Sequence, residues 1–274
     1  MAMLHAKGGQ LTIDDTTMDY ICFGTGAKNL IMIPGLGDGL TSVKGKAIPF
    51  ALLYRKYAKE YTIYVFSRKN KLQEDAGTRT MAADLAKAME LLKIEKADIV
   101  GVSQGGMIAQ YLAIDFPEKV HKLVLVVTLS KQNEVVVQVI ESWIEMAKNG
   151  DYAGIFTDTA EKSYTEDYLQ KSRWFFPIVS KMSTPKEADR FLIMAKACIS
   201  HDSHAELSKI QCPTLIIGGK QDKIVTGEAS EEMAKAIAGS KLYMYEQYGH
   251  GLYEEAKDFN ERVITFFRGD NFPG

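Results

Sequence analysis

Six short apolar runs recur along this chain, and most of them do not alternate with polar residues: LIMI at 30–33, TIYVF at 62–66, ADIVGV at 97–102, KLVLVV at 122–127, TLIIGG at 214–219 and KLYMY at 241–245. A strand with water on one face alternates; a run without alternation suits a strand buried on both faces of a parallel sheet. Helical spacing fills the gaps. Met81, Leu85, Ala88, Leu91 and Leu92 fall three and four residues apart within 80–93, and 104–114, 226–238 and 254–267 also read as helices. Strands alternating with helices imply an α/β fold with a mainly parallel central sheet flanked by helices on both sides. The first two segments, QLTIDD and MDYICFG, have no helix between them and are expected to pair as an antiparallel hairpin at one edge.

The alternation breaks once. A crossover between parallel strands needs a dozen or so residues, yet residues 130–209 separate two strands here. That stretch carries its own helical patterns. EVVVQVIESWIEMAK places Val136, Val139, Ile140, Trp143 and Ile144 on one face, and a capping box of Thr184, Pro185 and Glu187 is expected to open a later helix. Both tryptophans, Trp143 and Trp174, lie in it, with Phe156, Phe176 and Phe191. The expected organisation is a core of residues 1–129 and 210–274, with 130–209 inserted as a helical cap over the C-terminal edge of the sheet.

Composition excludes several classes. With 46% hydrophobic residues in 274, the chain is long enough for a large core. A net charge of -2 and an isoelectric point near 6.2 give no sign of nucleic-acid or membrane partners. The longest apolar runs are strand-sized, and MAMLH lacks a basic segment followed by an apolar one, so neither a membrane span nor a signal peptide is expected. Cys22, Cys198 and Cys212 are odd in number and scattered, which fits reduced thiols in a cytoplasmic protein.

Within this frame one serine stands out. Gly101-Val102-Ser103-Gln104-Gly105 follows a strand directly and opens a helix. The bare pattern occurs in ordinary turns, but a strand before it and a helix after it make a nucleophile elbow, in which strained backbone exposes the serine hydroxyl. Side chains two residues either side would collide across so tight a turn. A serine hydroxyl needs a base. Of five histidines, His5 is near the terminus and His121 precedes a strand at the opposite end of the sheet. His201 and His204 form HDSH just after the last helix of the insertion, without a third metal ligand in view; hydrogen-bonded hinge residues are the expected reading. His250, in YGHGLYEE after the last strand, occupies a loop where open α/β sheets place their chemistry. Asp222, just past the strand at 214–219, is the candidate acid that would fix its tautomer. For the oxyanion, the N–H of Gln104 and the N–H of Leu36 in PGLGDG are the candidate donors. PGLGDG has neither the lysine of a P-loop nor the spacing of a dinucleotide fingerprint, so no cofactor and no metal are expected, and the partner is a small-molecule substrate.

With VGVSQGGMIAQYLA, FPEKVHKLVLV, CPTLIIGGKQDKIV and YGHGLYEEA in order, the chain resembles capped serine hydrolases of the α/β-hydrolase fold, nearest in kind to small bacterial esterases, 3-oxoadipate enol-lactonases and cofactor-free haloperoxidases. The resemblance implies Ser103 as nucleophile, Asp222 as acid and His250 as base, with Leu36 and Gln104 as oxyanion donors. It departs from many relatives at Pro34-Gly35, where they carry histidine-glycine, and at FSRKNKLQEDAGTRT, which replaces an aspartate- and glycine-rich loop. The expected activity is cleavage of a small carboxylic ester or lactone through an acyl-serine. A carbon–carbon bond hydrolase or perhydrolase with the same triad, and a ligand sensor with little turnover, remain as alternatives. With Arg173 and Arg190 as its only arginines, the insertion suggests a small, largely apolar acyl pocket rather than a polyanion site.

Overall fold

Eight strands among the described residues form one sheet in the order β1-β2-β4-β3-β5-β6-β7-β8. The structure is a computed structural model and describes residues 5–176, 185 and 188–270. The strands are β1 Lys7–Ile13, β2 Thr16–Phe23, β3 Lys28–Ile33, β4 Tyr61–Lys69, β5 Ala97–Val102, β6 Val120–Val126, β7 Thr214–Gly219 and β8 Lys241–Tyr245. As the hairpin reading expects, β1 and β2 are antiparallel at one edge; β2 also runs antiparallel to β4, and all later pairs are parallel.

The missing alternation has a direct cause. Successive side chains of the central strands enter two separate cores. Ile31, Ile33, Leu123, Leu125 and Ile216 pack on one face, and Leu30, Met32, Val124, Val126, Leu215 and Ile217 on the other. Helices α2 Thr78–Leu91 and α3 Gln104–Asp115 cover the first face. The second is covered by α1 Ala47–Leu53 and a C-terminal helix, Phe259–Arg268.

Between β6 and β7 the chain forms α4 Glu134–Lys148, α5 Tyr152–Ser163, α6 Glu166–Ser172 and α7 Asp189–Ile199. Asn133 caps α4 by accepting from Val136 N at 2.9 Å, and Asp151 caps α5 by accepting from Gly154 N at 2.8 Å. Thr184 and Glu187 of the expected capping box lie outside the described residues. Trp143 is buried and donates to Asp158 Oδ2 at 2.7 Å, whereas Trp174 is 76% exposed.

After α8 Gly227–Ala236, the helix expected over 254–267 divides into α9 Leu252–Glu255 and α10 Phe259–Arg268. The two pieces face different partners: Glu255 of α9 accepts from Thr165 in the insertion, whereas Val263 and Phe267 of α10 bury against the sheet. Helix α1 has no clear sequence period, because Ile48, Leu52 and Leu53 leave apolar side chains exposed beside its buried ones. Among the described residues no helix is long and apolar enough to cross a membrane.

His201, where the insertion rejoins the core, is 2% exposed. Its Nδ1 lies 2.8 Å from Thr78 Oγ1 and its Nε2 3.3 Å from Ser203 Oγ. Burial pulls its pKa down to about 4, against the opposing pull of the Asp202 charge. The folded protein therefore holds this ring neutral where the unfolded chain protonates it, so stability is full above the ordinary imidazole range and falls with pH toward 4. This one group is expected to remove about 3 kcal/mol by the low end of that window. Urea midpoints from pH 7 to pH 4 should show a slope that His201→Gln flattens; an unchanged slope would contradict the assignment.

Candidate active site

The C-terminal ends of the parallel strands lie side by side, Ile33 beside Gly101 and Gly101 beside Leu125. The loops after β3, β5, β7 and β8 consequently meet at one edge. Ser103 sits between β5 and α3 with φ 53° and ψ -121°. A non-glycine residue in such a conformation costs about 1–3 kcal/mol and persists only where its surroundings enforce it. Here Ser103 N donates to Val126 O at 2.9 Å, while Ser103 O accepts from Gly106 N at 2.8 Å and Thr128 Oγ1 at 2.7 Å.

The glycines are needed for close approach. A Cβ on Gly105 would stand 1.9 Å from Ile33 O, and one on Gly101 2.5 Å from Gly105 O. Gly35, in the neighbouring loop, already brings its backbone close enough that a Cβ would lie 3.3 Å from Ser103 Cβ.

Asp222 and His250 are brought together by a second close approach. Gln221 N donates to Tyr248 O at 3.1 Å, and a Cβ on Gly219 would collide with that same carbonyl at 2.4 Å. Asp222 Oδ1 accepts from Ile224 N at 2.8 Å and Val225 N at 3.0 Å, leaving Oδ2 2.8 Å from His250 Nδ1. With Nδ1 occupied, Nε2 is the ring nitrogen available for chemistry. Ser103 and His250 line one cavity of about 370 Å³. No hydrogen bond joins the Ser103 hydroxyl to the His250 ring in the described residues.

Leu36 lines the same cavity, and the N–H groups of Leu36 and Gln104 make no hydrogen bond among the described residues. The Gln104 side chain has a role that its sequence position does not suggest. Fully buried, it donates from Nε2 to Met194 O at 2.6 Å and to Cys198 Sγ at 3.1 Å, fastening α7 to the start of α3. Its Oε1 accepts from Arg68 Nη2 at 3.2 Å.

Arg68 belongs to a buried charge cluster that sequence reasoning missed. Asp38, in the loop after β3, accepts from Ser67 Oγ at 2.6 Å, Arg68 N at 2.9 Å and Arg190 Nη2 at 2.5 Å. Arg68 Nη1 lies 4.0 Å from Asp38 Oδ2, and burial pulls the Arg68 pKa down to about 10. Arg190 also donates to Lys69 O at 3.1 Å, so this arginine of the insertion is a tie to the core and not a ligand group facing the cavity. Asp38 within PGLGDG and Arg68 within the unusual FSRKNK segment were the signals available.

The remaining histidines stand apart from the site: His121 Nδ1 lies 2.7 Å from Asp98 Oδ1, and His204 Nδ1 2.9 Å from Ser130 Oγ. Among the described residues no group of three or more His, Cys, Asp or Glu could hold a metal.

The insertion grips the histidine loop. Gly251 N donates to Ser163 O at 2.8 Å, Tyr164 OH to Glu254 Oε2 at 2.7 Å, and Thr165 Oγ1 to Glu255 Oε2 at 2.5 Å. It also furnishes much of the cavity wall, through Ile140 and Trp143 of α4, Ile155 and Phe156 of α5, and Phe191 of α7.

Comparison with known proteins places this arrangement. A family model described as "alpha/beta hydrolase fold" matches residues 28–257. The chain is 23% identical over 272 residues to 3-oxoadipate enol-lactonase 2 of Acinetobacter baylyi, covering 99% of this chain and 100% of that one. Among solved structures it is similar to an alpha/beta hydrolase enzyme from a Medee basin deep-sea metagenome library, with TM-score 0.84, 20% identity and coverage of 97% and 99%. It is also similar to the enol-lactonase of Burkholderia xenovorans, with TM-score 0.80, 19% identity and coverage of 95% and 100%.

Removing the Asp38 charge should cost more than any single hydrogen bond, because two buried guanidinium groups would lose their counter-charge. Asp38→Asn is expected to destabilise the fold by about 3–5 kcal/mol. Equilibrium denaturation checks this; a loss below about 1 kcal/mol would show that the cluster is dispensable.

Proposed function

The chain belongs to the α/β-hydrolase fold family, and from that premise we propose that it is a serine hydrolase cleaving a small carboxylic ester or lactone through an acyl-serine intermediate. The observation that carries this reading is the 2.8 Å Asp222–His250 pair opening on the same cavity as the strained Ser103.

The steps follow from the groups present. Ser103 Oγ attacks the substrate carbonyl carbon as its proton passes to His250 Nε2. The resulting imidazolium is stabilised by Asp222, whose carboxylate is held in place by the Ile224 and Val225 N–H groups. The negative charge that develops on the carbonyl oxygen is met by the N–H groups of Leu36 and Gln104 and by the N-terminal end of α3. As the tetrahedral species collapses, His250 returns the proton to the departing alkoxide; in a lactone that alkoxide stays attached to the acyl chain. Water then enters, gives a proton to His250, attacks the acyl carbon and releases the acid with Ser103 restored.

A cavity of about 370 Å³ lies at the small end of ligand sites and favours short acyl chains or rings. The full-length similarity to 3-oxoadipate enol-lactonase 2 supports the lactone end of this range.

The test is steady-state hydrolysis of short esters and lactones by variants. Ser103→Ala is expected to lower kcat by roughly 10⁴- to 10⁶-fold, and His250→Ala to match it within about a factor of ten because the pair acts as a unit. Asp222→Asn should fold and lose about 10⁴-fold by holding the imidazole in the wrong tautomer. Turnover surviving Ser103→Ala contradicts the reading, and binding without multiple turnover by the native protein would mark a sensor instead. In a series of p-nitrophenyl esters, kcat/KM should fall as the acyl chain lengthens; a long-chain preference with activation at a lipid interface would point to a lipase.

A further inference from the structure

The charges lining the cavity narrow the substrate further, on the reading that the site holds an ester or lactone. Among the described lining residues, formal charge resides on Asp38, Lys46 and, when protonated, His250. Asp38 is engaged by Ser67, Arg68 and Arg190, and His250 by Asp222. Lys46 differs. It stands half-buried at the start of α1, and its Nζ donates to Thr41 O at 3.2 Å and Thr41 Oγ1 at 2.5 Å. Both acceptors are neutral, and no carboxylate lies within 4.0 Å of Nζ among the described residues.

An ammonium group has three N–H donors, so one is left over. Burial pulls the Lys46 pKa below the ordinary lysine value, and Arg190 adds to that pull while Asp38 opposes it. A half-buried cation at the wall of the cavity, hydrogen-bonded to two neutral oxygens, keeps one N–H donor for a ligand. An anionic group entering the cavity would supply the missing partner.

We propose that Lys46 binds a carboxylate carried by the substrate away from its scissile carbonyl, so that the natural substrate is a small monoanionic ester or lactone. One lysine with one open donor matches one carboxylate; a phosphate would call for a larger set of donors. The Thr41 bonds by themselves only tether the loop ahead of α1, and a tether has no reason to select for substrate charge.

Two isosteric pairs decide the matter: monomethyl glutarate against methyl 5-methylhexanoate for a carboxylate on the acyl side, and 4-acetoxybutanoate against 4-methylpentyl acetate for one on the alcohol side. The native protein is expected to favour the anionic member of at least one pair by roughly tenfold or more in kcat/KM, chiefly through KM. That preference should shrink with added salt, a readout that needs no variant. Lys46→Gln should abolish it and Lys46→Arg retain part of it. No preference for either anionic ester, or a preference that survives Lys46→Gln, overturns the proposal. Should none of the four be hydrolysed, the serine-hydrolase reading is judged on lactones instead, and calorimetry with monomethyl glutarate still judges Lys46. Binding weakened roughly tenfold or more by Lys46→Gln upholds its role; equal affinity, or no binding to the native protein, refutes it.

Discussion

The strand-to-helix turn at Ser103 is the constraint on which the site depends. It demands a backbone conformation that serine does not favour, and it is held there from three sides: by the end of β6, by the first turn of α3 and by Thr128. The contacts work only because Gly101 and Gly105 leave no Cβ in the way, with Ile33 O close enough to the Gly105 Cα to forbid one. Sheet register matters for the same reason. It brings the ends of β3, β5 and β6 level, so the Leu36 loop and the Ser103 turn become neighbours without any contact between their side chains being required.

Around this rigid turn the structure is joined through polar groups that are buried and mostly satisfied. Asp38 compensates two guanidinium groups; Gln104 links Arg68 to the helix carrying Met194 and Cys198; Arg190 ties the same helix to the end of β4. The inserted helices are therefore anchored to the floor of the cavity from below, and to the His250 loop through Ser163, Tyr164 and Thr165.

Much of this was legible in the sequence, for reasons that can be named. Strands buried on both faces leave an unalternating apolar signature, which is why ADIVGV and TLIIGG coincide with β5 and β7. Ser103, Asp222 and His250 each follow a strand, and the parallel order of those strands obliges the three loops to converge. What stayed hidden depends on contacts between distant residues. Arg68 and Asp38 are 30 positions apart, and Arg190 is a further 122 from Arg68; no local spacing announces such a cluster. Lys46 reads as a loop lysine until the cavity beside it is seen. Helix α1 escaped because its apolar residues point outward as well as inward, and the division at α9 because Glu255 answers to Thr165 rather than to the helical period.

The central claim is that one serine, held in this turn, forms a covalent bond to the substrate's acyl carbon. A fluorophosphonate probe takes the place of that carbon. Intact-mass measurement after exposure should show one adduct per chain, and peptide mapping should put it on Ser103. His250→Ala should slow its formation by orders of magnitude, since the hydroxyl loses its base. An adduct on another residue, or labelling that continues at the same rate without His250, would contradict the account.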